Sequence, residues 1–304
     1  MKYYILLLLE VVFGFQAFAQ TTTRQDGLLY RIYESEEIPY AEVYGYALED
    51  DSEVLIPDSI VRDGFAYPVT SIANYAFNNC KEIVSVTIGN NIKKINEGAF
   101  YECYNLKSVQ MSDSVHSIGG FAFGRCSKLE KIRLSQSLDY IFYAAFSYSG
   151  LTELTLPYSL KIIAEDAFRS CNNLQSITIQ SDLRIDKEAF NGCENIKEIY
   201  YNSPMFGKSS KNIFNNDIYN TATLLVPEGY LQLAYDTEPW LYFVHIKEFD
   251  FTSVNSVLND MLNTDCDVEI YNFNGVKCAN NLNNISPGYY IIRKGKSTKK
   301  IIVR

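Results

Sequence analysis

Histidine is nearly missing from this chain. Only His116 and His245 occur among 304 residues, and neither an HExxH nor a GxSxG pattern is present. Zinc-dependent hydrolysis and a serine nucleophile on a strand-turn-helix elbow therefore have no residues to run on. Basic excess is lacking too: 27 Lys and Arg face 36 Asp and Glu, for a net charge of -9, the wrong sign for a nucleic-acid footprint. No interior run reaches the roughly 18 apolar residues of a membrane span. The seven cysteines never fall in a C-x-x-C pair, so zinc-ribbon spacing is absent. Gly-Lys-Ser occurs at 207–209 and 295–297, but Asn202 and Tyr290 stand where a phosphate loop needs its first glycine. Neighbouring carboxylates such as Asp50-Asp51 read as solvated charge. The expectation is a non-enzyme with no catalytic residues, no metal and no cofactor.

What the chain does have is a period. Phe77, Phe100, Phe123, Phe146, Phe168 and Phe190 recur at spacings of 22 or 23 residues, inside a unit I-x-x-x-A-F-x-x-C-x-x-L-x-x-V-x-I. This period lies in the leucine-rich range of repeat architectures. The second half of each unit alternates apolar and polar residues, as in Leu106–Met111, and predicts a strand with one buried face. The first half predicts a short turn or helix that places Ala and Phe inward. A single unit cannot bury its apolar face, so successive units must stack, with strands roughly 4.8 Å apart in one sheet. With 47% hydrophobic residues the stack can hold a continuous core.

Five cysteines, Cys80, Cys103, Cys126, Cys171 and Cys193, ride on this period. The fourth unit, A-A-F-S-Y-S-G-L, is one residue shorter and carries Ser149 in the cysteine's place. A metal or redox row would be broken there, whereas a small buried side chain can be Cys or Ser; packing is favoured over a cross-link between turns.

On each strand, the residue between the two buried positions points out of the sheet. Those residues are Thr87, Gln110, Arg133, Thr155, Thr178 and Tyr200, and Lys131 adds a second cation beside Arg133. Such faces are where solenoids bind extended partners, although Thr is also simply favoured on exposed strands. Loops, the ends of the stack, or no single site are the alternatives. His116 reads as a solvated strand residue and His245 as packing or surface.

The first residues, MKYYILLLLEVVFGFQAFAQ, read as a secretory signal with cleavage between Ala19 and Gln20. The expected divisions are a signal at 1–19, an N-terminal cap at 20–68, repeats at 69–202, a C-terminal cap at 203–250, and a linker with a small antiparallel β unit at 251–304. The fold class expected is a β-rich α/β solenoid of about six units with caps at both ends.

The repeating unit, the Y-P-V-T-S-I stretch at 67–72 ahead of it, and V-P-E-G-Y-L-Q-L-A-Y with Trp240, Phe243 and Ile246 after it resemble the BspA-like leucine-rich repeat family from Asp26 to about Phe249. This resemblance implies a surface or secreted bacterial protein, most often from Bacteroidetes, and for some members adhesion to host matrix proteins. The partner expected is then a host matrix protein or glycan, with a spacer in the surface layer as the alternative.

Near the C-terminus, D-V-E-I-Y-N-F-N-G-V-K, the Pro287-Gly288 turn before Tyr289–Arg293 and the closing Lys300–Val303 run resemble the sorting domain of type IX secretion cargo. That implies export to the outer surface of a Gram-negative cell, with no membrane span in the mature chain and the secretion machinery as a partner. A small structural β unit that stays attached is the other reading. Cys266 and Cys278 depart from the pattern and bracket a hairpin, where a disulfide is one of two outcomes.

Overall fold

A computed structural model describes residues 19–34, 38–47, 52–203 and 205–249, together with the backbone of four strands between 269 and 303. In each turn a strand of two to five residues carries aliphatic side chains inward. On one side these are β4 (Glu53–Ile56), β7 (Ser85–Ile88), β9 (Ser108–Gln110) and β11 (Lys131–Arg133), paired in parallel. Their registers align Val54, Val86, Val109 and Ile132 in one buried row. A second set comprises β13 (Glu153–Thr155), β15 (Ser176–Ile179), β17 (Glu198–Tyr201), β18 (Thr223–Pro227) and β19 (His245–Phe249). It continues the row with Leu154, Ile177, Ile199, Leu224 and Ile246.

A single sheet was the expectation, and the structure splits it between β11 and β13. The shortened fourth unit falls at this break. Gly150 is drawn so close to the preceding turn that a Cβ there would meet the Ser127 carbonyl oxygen at 2.3 Å. The strand that follows keeps contact through Thr152, whose amide and hydroxyl both donate to the Glu130 carbonyl, at 3.0 and 3.2 Å.

The other side of each turn is a two-residue strand: β8 (Lys94–Ile95), β10 (Ser117–Ile118), β12 (Tyr140–Ile141), β14 (Ile162–Ile163) and β16 (Arg184–Ile185). These pair in parallel onto β6 (Phe65–Ile72), so Ile72, Ile95, Ile118, Ile141, Ile163 and Ile185 form a second buried row. At the N-terminal end β1 (Ala19–Gln25), β2 (Leu28–Glu34) and β3 (Tyr40–Tyr46) extend this sheet as an antiparallel meander. β5 (Ser59–Arg62) folds back on β6. That hairpin turns at Asp63-Gly64, and the β1–β2 hairpin at Asp26-Gly27; both residues of each pair have positive φ, the geometry that Asp-Gly supplies most easily.

The phenylalanines close the third side. Phe77, Phe100, Phe123, Phe146, Phe168 and Phe190 stack with centroids 4.9 to 5.3 Å apart. Phe214 adds a seventh ring at 5.4 Å that the repeat pattern did not reveal, since Ile213 replaces its alanine. The segment around each ring is a turn, not a helix. Among the described residues the helices are the six-residue α1 (Asn216–Thr221) and α2 (Leu231–Asp236) and a 3-10 turn at Trp240–Tyr242. The architecture is thus a β-solenoid of about eight turns, and the α/β label is corrected.

Helix is excluded at the phenylalanine turns by backbone geometry. The residues two before and two after each repeat phenylalanine have positive φ, for example Phe121 (56°) and Arg125 (61°) around Phe123. Alternate amides then point along the solenoid axis: Phe100 N–H donates to the Ala122 carbonyl and Phe123 N–H to that of Ala145, at 2.8 and 2.7 Å. An α-helix would use those donors within its own segment.

β20 (Glu269–Asn272), β21 (Lys277–Ala279), β22 (Gly288–Lys294) and β23 (Ser297–Val303) pair antiparallel in the order β21-β20-β22-β23. The Asn274-Gly275 turn, Cys266 and most of the expected signal lie outside the described residues. At the expected cleavage site, the backbone of Ala19 and Gln20 opens β1, opposite Glu34 and Tyr33.

Candidate functional site: the outer face of the strand stack

Alternation along each strand brings the expected row together. Register places Leu55, Thr87, Gln110 and Arg133 side by side, then Thr155, Thr178 and Tyr200 beyond the break. Leu55 was not anticipated; it belongs to β4, ahead of the recognisable units, yet its side chain is 66% exposed. A leucine held in water at the end of a hydroxyl and amide row contributes nothing to the core and is available for contact.

Two features of the row differ from expectation. Thr178 is buried at 6% exposure. It sits in register between Thr155 and Tyr200, and a short side chain one strand from a tyrosine is shaded from solvent. The basic spot at Lys131 and Arg133 is also paired: Lys131 Nζ lies 3.1 Å from Glu153, and an Arg133 nitrogen 2.8 Å from Asp113. Burial alone would push the Asp113 carboxyl up. The hydrogen bonds from Arg133 and the Gln136 amide, with the Arg133 charge, outweigh it and hold that carboxyl below its ordinary value. Tyr200 donates to Glu198 at 2.7 Å and meets the Phe249 ring edge-to-face.

The N-terminal end of this face is concave. A depression of about 430 Å³ is lined by Leu55, Thr87, Gln110, Asp58, Asn90 and Ser112, among others. Its rim is preorganised. Asp58 accepts from the Asn90 amide and side chain and, through its carbonyl, from Asn91, while Ser112 donates to the Gly89 carbonyl at 3.0 Å. The part Asp58 plays in shaping this rim depends on Asn90, 32 residues away.

The cysteines are packed thiols. The sulfurs of Cys103, Cys126, Cys171 and Cys193 donate to the carbonyls of Phe77, Phe100, Phe146 and Phe168 in the preceding turn, at 3.0 to 3.2 Å. All five described cysteines are free of disulfides. Burial pushes the Cys103 thiol up to about 12 and raises those of Cys126 and Cys193 well above their ordinary value. Both histidines are exposed, His116 with Nδ1 2.7 Å from the Ser114 carbonyl. Among the described residues no group of three or more His, Cys, Asp or Glu is placed to hold a metal ion, and no helix is long and apolar enough to cross a membrane.

Six copies of a BspA type leucine-rich repeat region match this chain, over residues 64–174, 95–221 and 140–269. The chain belongs to the BspA-type leucine-rich repeat family. Its fold is shared by the leucine-rich repeat protein TpLRR of T. pallidum, at 24% identity and a TM-score of 0.52, covering 67% of this chain and 86% of that one. A leucine-rich repeat protein from Bacteroides ovatus matches at 22% identity and a TM-score of 0.50, covering 68% of this chain and 59% of that one. No curated protein sequence matches it. Membership of this family accounts for the repeat, the phenylalanine stack and the stacked strands; the occupant of the strand face is a separate question, because function resides in sites and not in folds.

Proposed function

We infer that this is a non-catalytic surface protein whose strand face binds a protein or glycan outside the cell. The observation that carries this reading is the depression at Leu55, Thr87 and Gln110, where an exposed leucine meets hydroxyl and amide groups beside a hydrogen-bonded rim. An apolar anchor with a few fixed polar groups is the usual make-up of a recognition site. Export is supported by the signal-like first 19 residues and by the C-terminal stretch that resembles a type IX sorting domain. On this reading the mature chain starts at Gln20 and reaches the outer-membrane surface or the medium, with residues 251–304 serving as the address.

Saturation binding of the mature chain to a panel of matrix proteins and surface glycans, at two salt concentrations, tests the proposal. Leu55→Asp and Gln110→Arg are expected to weaken a saturable partner at least tenfold. Lys131→Glu with Arg133→Glu should weaken an acidic partner and leave a neutral one nearly unchanged. No saturable binding across the panel would favour a spacer role, and binding that Leu55→Asp and Gln110→Arg leave intact would move the site off this face.

A further inference from the structure

The shortened fourth unit does more than mark the break in the sheet. In full-length units two residues follow each cysteine before the buried leucine, as in Tyr104-Asn105, Ser127-Lys128 and Asn172-Asn173, and together they make a ridge along the solenoid. Polar bonds tie that ridge from turn to turn. Asn105 donates to the Lys81 carbonyl, Lys128 to Asn105, and Asn195 to the Asn172 carbonyl, each at 2.7 Å. In the fourth unit only Gly150 stands between Ser149 and Leu151, and it is pressed against Ser127. One tooth of the ridge is missing.

The gap is a notch of about 500 Å³. Ser149 and Gly150 form its floor, Tyr104, Arg125 and Ser127 one wall, and Asn172 and Asn173 the opposite one. Arg125 and Ser127 belong to the third unit, Tyr104 to the second behind them, and Asn172 and Asn173 to the fifth; the third and fifth units lie two strand spacings or about 10 Å apart, which leaves room for a single sugar ring. Arg125 lies 5.8 Å from the centre of the half-exposed Tyr148 ring, interacts with the Tyr104 hydroxyl, and is within 3.5 Å of Glu102. Its guanidinium is half exposed and paired with Glu102. In a chain of net charge -9, the lining of this notch contains one cation and no carboxylate.

We propose that this notch binds a carboxylated sugar residue, a uronic or sialic acid unit of a glycan. Each part of such a residue has a counterpart. The planar guanidinium of Arg125 suits a carboxylate. The Tyr148 and Tyr104 rings offer apolar faces to the C–H side of a pyranose. Ser127, Ser170, Asn172 and Asn173 provide donors and acceptors for ring hydroxyls. The notch is walled along the solenoid axis and opens outward at the surface, so the sugar can belong to a longer chain. This site is independent of the strand-face depression and does not require that face to bind anything.

The test is titration of the full mature chain with sialyllactose, tetragalacturonate, lactose and tetraglutamate. Saturable binding is expected for at least one of the two acidic sugars, which also tells the two sources apart, with none for lactose. Arg125→Ala and, separately, Tyr148→Ala should each weaken that binding at least tenfold, while Leu55→Asp leaves it within twofold. Asn173→Trp fills the notch from a surface position and should abolish binding without removing a polar contact to the core. Failure of both acidic sugars to bind overturns the proposal. So does binding that Arg125→Ala and Tyr148→Ala leave within twofold, or equal affinity for tetraglutamate, which would make the notch a carboxylate site without sugar specificity.

Discussion

The Ser149 hydroxyl lies 3.2 Å from the Cys171 sulfur, buried in the same row as the four thiols that bond back to phenylalanine carbonyls. Serine thus occupies the cysteine's place in the one unit whose loop has tightened, and the row remains continuous. Its requirement is a small side chain: the thiols bond back to phenylalanine carbonyls, whereas the Ser149 hydroxyl bonds forward to the Cys171 sulfur. Cys103→Ala is therefore expected to cost about 1–3 kcal/mol, one hydrogen bond together with the small cavity left by the buried sulfur. The Phe77 carbonyl keeps its bond from the Cys80 amide at 3.3 Å and is not orphaned. Chemical denaturation of the variant against the parent chain checks this; a larger loss would mean that the thiol does more than pack.

Alkaline pH should destabilise the protein through three of these thiols. Cys103 is pushed from an ordinary 9.0 up to about 12, and burial likewise raises Cys126 and Cys193. The unfolded chain gives up these protons as pH passes 9, while the folded chain keeps them, so ionisation favours the unfolded state. Stability is fully present below about pH 9 and declines as pH rises towards about 12. Burial also raises Tyr219 to about 12, which acts in the same direction. Denaturation midpoints at neutral and alkaline pH will show the slope.

Alkylation under native conditions separates these thiols by position. Cys80 is only partly buried, whereas Cys103, Cys126, Cys171 and Cys193 are fully enclosed. A thiol-reactive reagent is expected to label Cys80 first among these five, the others reacting only on unfolding. Peptide mapping by mass spectrometry reads the order directly.

Phe123 is stacked on both sides, 5.3 Å from Phe100 and 5.2 Å from Phe146. Truncation to alanine leaves a cavity in the middle of the column, where neighbours on either side are fixed by their own stacking. A loss of about 3–5 kcal/mol is expected. Phe214→Ala, at the end of the column, leaves a cavity bordered by four rings, Phe190, Tyr219, Trp240 and Phe243, and should cost at least as much. Thermal and urea unfolding of the two variants test the difference.

Left-handed backbone makes a prediction of opposite sign. Glu188 has φ of 58°, and in the second unit the equivalent place is Gly98 at 59°. A non-glycine residue there costs about 1–2 kcal/mol, so Glu188→Gly should raise stability by up to about that much. Gly98→Ala should lower it, because its Cβ would meet the Tyr75 ring at 2.3 Å as well as carry that strain. A calorimetric comparison of both variants with the parent settles the sign.

Periodic residues were legible in the sequence wherever side-chain chemistry alone decided their place. Val86, Val109 and Ile132, the isoleucines from Ile72 to Ile185 and the six phenylalanines are buried where apolar spacing requires, because a stack of identical turns leaves each apolar position only the neighbouring turn to pack on. Ser149 could likewise be read as a packed stand-in for cysteine. The positive φ at Phe121, Arg125 or Glu188 could not, since none of these residue types announces it. That conformation is imposed by the amide ladder between turns, which exists only once two turns are side by side. Phe214 escaped for a related reason, as it joins the column through space although its unit has lost the alanine.

The same division holds for the candidate sites. Alternation alone identified Thr87, Gln110 and Arg133 as outward residues. Tertiary structure decided that Thr178 is shaded beside Tyr200, that Arg133 is engaged by Asp113, and that Leu55 joins the row from an earlier segment. The missing residue after Ser149 was visible in the sequence, yet the notch it opens became apparent only when Tyr104, Arg125 and Asn173 were brought around it. Sequence determined the repeat, because burial is a property each unit carries in its own pattern. Structure decided the surface, because a cleft or a paired charge is a relation between residues 20 to 70 positions apart, and only the stacking of turns brings them within reach.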